Sequence, residues 1–158
     1  MSEKVNYIPA GHPILSPYLA IRNAGAAIEF YKKAFDAKEL VRMDDPGGKV
    51  AHAELEIAGA RIMLSDEYPE MDVLGPESLG GSAVTMAIYV ADVDAFAQRA
   101  VAAGAKILRP VEDQFYGDRA GKLADPFGHR WWVATHKEEV SPEEIRRRAA
   151  ALFGGGKN

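Results

Sequence analysis

One order of elements is written twice in this chain, and that constrains its fold more than any other feature. Hydrophobic patterning predicts a strand over Leu15–Ile21, then a helix over Ala24–Phe35 with Asn23 as its cap and Ile28, Tyr31 and Phe35 on one face. Strands are expected next over Glu39–Met43, Val50–Ile57 and Arg61–Ser65, separated by the turn sequences DDPGG and AGA. A Pro/Gly-rich stretch, Glu67 to Gly81, has the composition of a linker. The order then begins again: a strand over Ala83–Val90, a helix capped by Asp92 and ended by Gly104, and strands over Lys106–Val111, Arg119–Ala124 and Arg130–Thr135. Shifting the chain by 69 positions sets Asn23 on Asp92, Gly59 on Gly128 and Arg61 on Arg130, whereas AKEL at Ala37 and AKIL at Ala105 match only after a one-residue slip.

The adjacent pair Trp131 and Trp132 raises a question about the last of these strands. Successive side chains of a strand point to opposite faces, so only one of the two can enter a given core. The other needs a second apolar environment, and a ligand cavity is one candidate. Beyond this strand, SPEE predicts a further helix: Ser141 and Glu144 form a capping box, Pro142 takes the first helical position and Gly154 stops it. Its stripe of Ile145, Ala149, Leu152 and Phe153 must dock on the body or on a second chain.

With 158 residues the chain suffices for one sizeable core without staples, and with no cysteine it has neither disulfides nor thiolate chemistry. Any metal would need His, Asp or Glu ligands. A net charge of −4 argues against nucleic-acid or anionic-membrane partners, and Arg146–Arg148, the one basic run, reads as a solvated helix face. The first residues carry no basic segment followed by an unbroken apolar run, so a cytoplasmic location is expected.

The segments RNAGAAIEFYKKAFDAKEL and YVADVDAFAQRAVAAGAKIL, with DPFGHRWWVATH closing the second unit, resemble the vicinal oxygen chelate superfamily of glyoxalases, bleomycin-resistance proteins and extradiol dioxygenases. The AHAEL and LSD segments and the DPFGH-x-W ending are similar to its PhnB-like branch. The resemblance implies an α+β fold of two tandem βαβββ modules, 14–65 and 83–136, within a domain spanning 1–136. Their curved sheets are expected to form a cup around a ligand, with the helices outside and a C-terminal helix and tail over 137–158. A homodimer is expected.

Metal-using members of such families place His or Glu at four cup-facing strand positions, which fall here on Ser16, Met63, Thr85 and Trp132. These residues make a poor first coordination shell, so neither a metal nor another cofactor is expected. Trp132 then becomes an aromatic wall of the site, and Trp131 a core residue. Alternation adds Tyr18 and Tyr89 to the lining, with His52, Glu54 and Glu56 on the third strand and Arg119, Gly121 and Leu123 as their counterparts. The expected function is binding of a small, planar or anionic organic molecule without a metal, by sequestration or by acid–base chemistry. In the catalytic version Glu54 is the base, His52 its partner and Arg119 the stabiliser of negative charge. The alternative is a divalent-metal lyase or dioxygenase of the glyoxalase type that uses His52 and Glu54. Plainer readings stand beside both: a half-exposed polar strand face for His52 and Glu54, and a salt bridge for Arg119.

Overall fold

Pro17 decides where the first strand begins, because a proline has no N–H to give to a ladder. The computed structural model describes residues 5–154, and in it β1 spans Tyr18–Ile21, three residues shorter at its start than the sequence pattern suggests. The elements that follow are α1 (Ala24–Phe35), β2 (Lys38–Asp44), β3 (Val50–Ile57), β4 (Ala60–Asp66), α2 (Pro76–Leu79), β5 (Thr85–Tyr89), α3 (Val93–Ala103), β6 (Lys106–Asp113), β7 (Asp118–Ala124), β8 (Arg130–His136) and α4 (Pro142–Phe153). Positions 1–4, weighed above for a leader, and 155–158 of the expected tail lie outside the described residues. The fold is α+β and consists of two βαβββ modules and a C-terminal helix, and the chain divides after Gly80 into two compact units.

In the first unit the strand order is β1-β4-β3-β2, with β1 parallel to β4 and the other pairs antiparallel. One face carries Leu19, Ile21, Ala53, Leu55, Ile62 and Leu64, all buried with Ile28, Tyr31 and Phe35 of α1. Asp66 ties this layer together, because its carboxylate accepts the Ala24 N–H at 2.9 Å and the Val50 N–H at 2.7 Å. The opposite face of the sheet carries Tyr18, Ala20, His52, Glu54, Arg61, Met63 and Ser65 in register.

The stretch expected to be a linker is folded. It holds a 3-10 turn at Pro69–Met71 and the single turn of α2, and it is fastened back onto the sheet. The Gly75 N–H donates to Glu67 Oε1 at 2.7 Å, and Arg22 Nη2 donates to Ser78 Oγ at 2.7 Å. The backbone approach is close: a Cβ on Gly75 would stand 2.7 Å from the Ala20 carbonyl oxygen.

The second unit repeats the topology as β5-β8-β7-β6. Its pairing shows where the two halves of the sequence match and where they slip. Tyr18 faces Met63 across β1 and β4, and the pair 69 residues on, Ala87 and Trp132, faces across β5 and β8. Helix α3 has 11 residues where α1 has 12, so β7 follows β3 at a spacing of 68. The turn after β7 restores the difference. Ile57 pairs with Ala60 across the two residues Ala58 and Gly59, whereas the Asp125 N–H bonds the His129 carbonyl across the three residues Pro126, Phe127 and Gly128.

Helix α4 is capped as expected, with the Ser141 hydroxyl accepting the Glu144 N–H at 3.2 Å. It docks on its own unit: Phe153 meets Phe115 edge to face at 6.1 Å, and Arg148 bonds the Phe115 carbonyl and the Glu138 carboxylate. Part of the run expected to be solvated thus braces the helix. Among the described residues no helix is long and apolar enough to cross a membrane.

Candidate functional site

The alternation of β3 puts His52 and Glu54 on the face of the first sheet that α1 leaves open, and β1 brings Tyr18 beside them. Glu54 is only 6% exposed and cannot stay there as an unpaired anion. Three donors converge on its carboxylate: His52 Nε2 at 3.0 Å, His12 Nε2 at 3.2 Å, and Arg61 Nε. Burial alone would raise the Glu54 pKa, but the hydrogen bonds from His52, His12 and Arg61 outweigh it and bring the carboxyl down to about 2. The other imidazole nitrogen of His52, Nδ1, lies 2.7 Å from the Tyr18 hydroxyl. With Nε2–H donated to Glu54, Nδ1 of the neutral ring is an acceptor and the phenol is the donor. Partial burial and the Glu54 charge raise the Tyr18 pKa against the opposing pull of Ser65. A line of proton-transfer groups therefore runs from a buried carboxylate through an imidazole to a phenol that is 53% exposed.

This arrangement alters the role expected for Glu54. A carboxylate held near pKa 2 and saturated with N–H donors is a weak base at neutral pH, so it anchors and orients the imidazole rather than taking a proton itself. His52 and Tyr18 carry the transferable protons. Two members of the cluster escaped the sequence reading. Arg61 sits on the same face as Met63, and alternation along β4 would have named it. His12 comes from an irregular segment 42 residues before Glu54 and gave no such signal. Arg61 also holds that segment, donating from Nη1 to the Gly11 carbonyl at 3.1 Å. His12 Nδ1 is buried and has no hydrogen-bond partner in the protein.

In the second unit the structure corrects two site residues. Arg119 and Leu123 pair with Thr135 and Trp131, so they lie on the face that α3 covers. Leu123 is 0% exposed, a core residue beside Trp131 and Val133. Arg119 binds both oxygens of Asp94 in the first turn of α3, at 2.7 and 2.8 Å, and Asp113 at 3.2 Å. It is a brace between strand and helix, a salt bridge as the plainer reading expects but to Asp94 and Asp113 rather than to Glu54 or Asp118, and Asp94 raises its pKa further. The difference follows from the spacing: the units are offset by 69 residues at β8 but by 68 at β7, and a one-residue slip swaps the faces. The partners of β3's polar face are Ala120 and Lys122, facing Ala134 and Trp132.

The last strand keeps its expected register. Trp131 is 3% exposed in the core and donates from Nε1 to Asp125 at 3.0 Å, while Trp132 is half-buried on the open face. Tyr89 meets Trp132 edge to face at 5.3 Å, and its hydroxyl is already given to Asp118 at 2.9 Å. Thr85 shares that face. A cavity of about 430 Å³ in this unit lies between α3 and β6, beside Ala97, Val101 and Ile107, hence on the side away from Trp132.

The metal positions inferred from the resemblance hold two hydroxyls, a thioether and an indole, a set with no strong donor for a divalent ion. The Ser16 hydroxyl is given to the Arg61 carbonyl at 3.2 Å. His12, His52 and Glu54 are drawn together in the first unit, but the Arg61 guanidinium occupies Glu54 and its charge opposes a cation there. Among the described residues no group of three or more His, Cys, Asp or Glu is arranged to hold a metal. These residues do not fit the ion that metal-using glyoxalases carry.

Residues 12–133 match the Glyoxalase/Bleomycin resistance protein/Dioxygenase superfamily. The chain belongs to that superfamily. It is 49% identical over 137 residues to the uncharacterized protein Rv0887c of Mycobacterium tuberculosis, an alignment covering 85% of this chain and 81% of that protein. Among solved structures, TioX from Micromonospora sp. ML1 is similar with a TM-score of 0.63 and 27% identity, over 77% of this chain and 97% of TioX. The PhnB protein from Bacillus cereus shares the fold at a TM-score of 0.60 and 21% identity, over 78% of this chain and 99% of its own.

Proposed function

We propose that this chain binds a small organic molecule on the open face of its first sheet and moves a proton to or from it through Tyr18 and His52, without a metal. The observation that carries this reading is the Tyr18–His52–Glu54 line, which joins a buried carboxylate through an imidazole to an exposed phenol at positions where the second unit carries other residues. There, the repeat sets Ala87 opposite the point held by Tyr18, and Ala120 and Lys122 opposite His52 and Glu54. The repeated topology therefore does not dictate this line, and the second unit's open face carries a different cluster, in which Tyr89 and His136 both bond the buried Asp118 directly.

In the base direction the substrate proton passes to the Tyr18 oxygen as the phenol proton passes to His52 Nδ1, leaving an imidazolium whose Nε2–H faces the Glu54 anion. The acid direction reverses each transfer. Arg61 and His12 keep Glu54 ionised and fixed. Met63 and Ser16 flank the site, and Trp132, Tyr89 and Thr85 supply a second, aromatic surface for ligand in this reading. The motifs AHAEL, LSD and DPFGH, with the likeness to the Bacillus cereus PhnB fold, support membership of a PhnB-like branch. The edge strand β2, exposed along its whole length with Leu40, Val41 and Met43 at the surface, supports a homodimer. The test is proton exchange: a panel of ketone-bearing and hydroxylated aromatic compounds is incubated in D2O, and loss of carbon-bound proton signals is followed by NMR. Exchange that depends on the protein and is lost in His52→Gln supports the reading. Exchange on no compound, or exchange unchanged in His52→Gln and Tyr18→Phe, overturns it.

A further inference from the structure

We propose that the ligand of the Tyr18 site is a flat, fused-ring aromatic molecule that carries a positive charge. The inference rests on the reading of the first sheet's open face as the reactive site, and it replaces the anionic ligand suggested by the sequence.

A cavity of about 600 Å³ opens beside Tyr18, wholly within the first unit. Its floor is made of small residues at adjacent points of the sheet. Ala20 and Ser65 are partners across β1 and β4. Ala51 joins them because β3 bulges: Met43 pairs with His52 but Asp44 with Val50, which sends Val50 into the core and leaves Ala51 exposed on the cavity side. Three short side chains side by side leave a shallow slot in which a planar ring lies against the sheet. The rings of Tyr18 and Tyr68 flank it, and Met71, Val73 and Leu74 close it with apolar surface. The volume falls within the roughly 300–1,000 Å³ of pockets that take drug-sized ligands, enough for two or three fused rings. The wall is preformed, since the links from Glu67 to Gly75 and from Arg22 to Ser78 hold the segment that bears it.

The charges around the slot choose the sign of the ligand. Asp45 and Asp72 line it, and among the described residues no lysine or arginine does. Asp45 is fixed as an anion by the Tyr68 hydroxyl at 2.9 Å and the N–H groups of Gly47 and Lys49. Lys49 sits outside, its ammonium 4.7 Å from the centre of the Tyr68 ring and bonded to the Glu67 carbonyl at 2.9 Å. Arg61 is consumed by Glu54. Both charges that line the slot are carboxylates, and the nearby Lys49 ammonium is engaged by the Tyr68 ring and the Glu67 carbonyl, so an anion is opposed there whereas a cation meets both carboxylates and the Tyr18 ring.

Two fluorescent three-ring probes of equal size and opposite charge decide the matter: proflavine, a cation, and 9-anthracenecarboxylate. Proflavine should bind saturably and at least about ten-fold more tightly than the anion, a preference of the size that cation–π and ionic contacts supply. Ala20→Leu, which fills the floor, should abolish the binding. Asp72→Asn, at an exposed position that leaves folding unchanged, should weaken it by about three-fold or more, as expected for loss of one partly screened charge. Equal affinity for the two probes, or proflavine binding that survives both substitutions, overturns the proposal. The two readings fail separately. Proton exchange without cation preference removes the ligand class alone, and cation-selective binding without exchange on any compound removes the reactive role of His52 alone.

Discussion

The Tyr18 hydroxyl lies 2.7 Å from His52 Nδ1, and where the second unit repeats these strands it carries Ala87 and Ala120. The duplicated topology thus separates what the sheet needs from what has been added to it. Apolar partners such as Leu55 and Ile62, or Leu123 and Trp131, fill the helix-covered face in both units. The open face is where they diverge: in one unit the carboxylate is reached from Tyr18 through His52, and in the other Tyr89 and His136 bond Asp118 directly on the face that carries Trp132 and Lys122.

Removing the relay should cost chemistry far more than stability. His52 and Tyr18 are half-buried or exposed, so His52→Gln and Tyr18→Phe are expected to change folding free energy by no more than about 1 kcal/mol. Proton exchange should fall about 10²- to 10⁴-fold in His52→Gln, the usual contribution of a positioned acid–base group. Paired denaturation and exchange measurements check this.

Glu54 should make the first unit acid-sensitive. Its folded pKa of about 2 lies below the ordinary 4.5, so the stabilisation it provides is complete above pH 4.5 and is lost as the pH falls through the folded value. Glu54→Gln leaves Arg61 and two histidines without their anion and is expected to lose about 3 kcal/mol at neutral pH. The difference between the two proteins should shrink steadily below pH 4.5. A gap of constant size down to pH values near 2 would contradict the assignment.

Most of the element order was legible because it rests on local physics: α1, β3, α3 and α4 begin and end at the residues that caps, turns and periodicity indicate. The open-face placement of Met63 and Trp132 followed from the family resemblance, and alternation from such positions added Tyr18, His52 and Glu54. What was not legible depended on counting residues across insertions. One residue missing from α3 and one added in the DPFGH turn cancel by β8 but not at β7, so a uniform offset gives the true face for Trp132 and the opposite face for Arg119 and Leu123. His12 and the wall over Ala20 arise from irregular segments that fold back on the sheet, where no period exists to read.

Arg119 should prove a structural brace. Its bidentate contact with Asp94 is partly exposed and screened by solvent, so Arg119→Ala is expected to lose only a small part of the stability. Neither proton exchange nor proflavine binding should change. A selective loss of ligand affinity in a stably folded Arg119→Ala would restore the role of anion clamp.

His136 gives the second unit a dependence on pH of opposite sign. Asp118 at 2.7 Å, with Glu139 at 3.1 Å, raises its pKa above the ordinary 6.5. The contribution is therefore full below pH 6.5 and fades as the pH rises through the folded value. The stability advantage of the native protein over His136→Gln should be present near pH 6 and be smaller near pH 9 in denaturant titrations. An advantage that grows with pH would reverse the sign and refute the ion pair.

Trp131 and Trp132 offer the sharpest comparison, because adjacent residues of one chemical type are placed in opposite environments. Trp131 is 3% exposed, packs with Val133 and Leu123, and gives its indole N–H to Asp125. Its replacement by alanine removes a large core side chain together with its hydrogen bond to Asp125, so a loss of roughly 3–5 kcal/mol is expected. Trp132 makes an edge contact with Tyr89 and is half-buried, so Trp132→Ala should lose only about 1 kcal/mol, the size of an aromatic pair. Denaturation midpoints of the two variants need no ligand. If Trp132→Ala were the more destabilising, β8 would be inverted. The faces of β7 and β5 paired to it would be inverted as well, and with them the contrast between the two units on which the reading of Tyr18 and His52 depends.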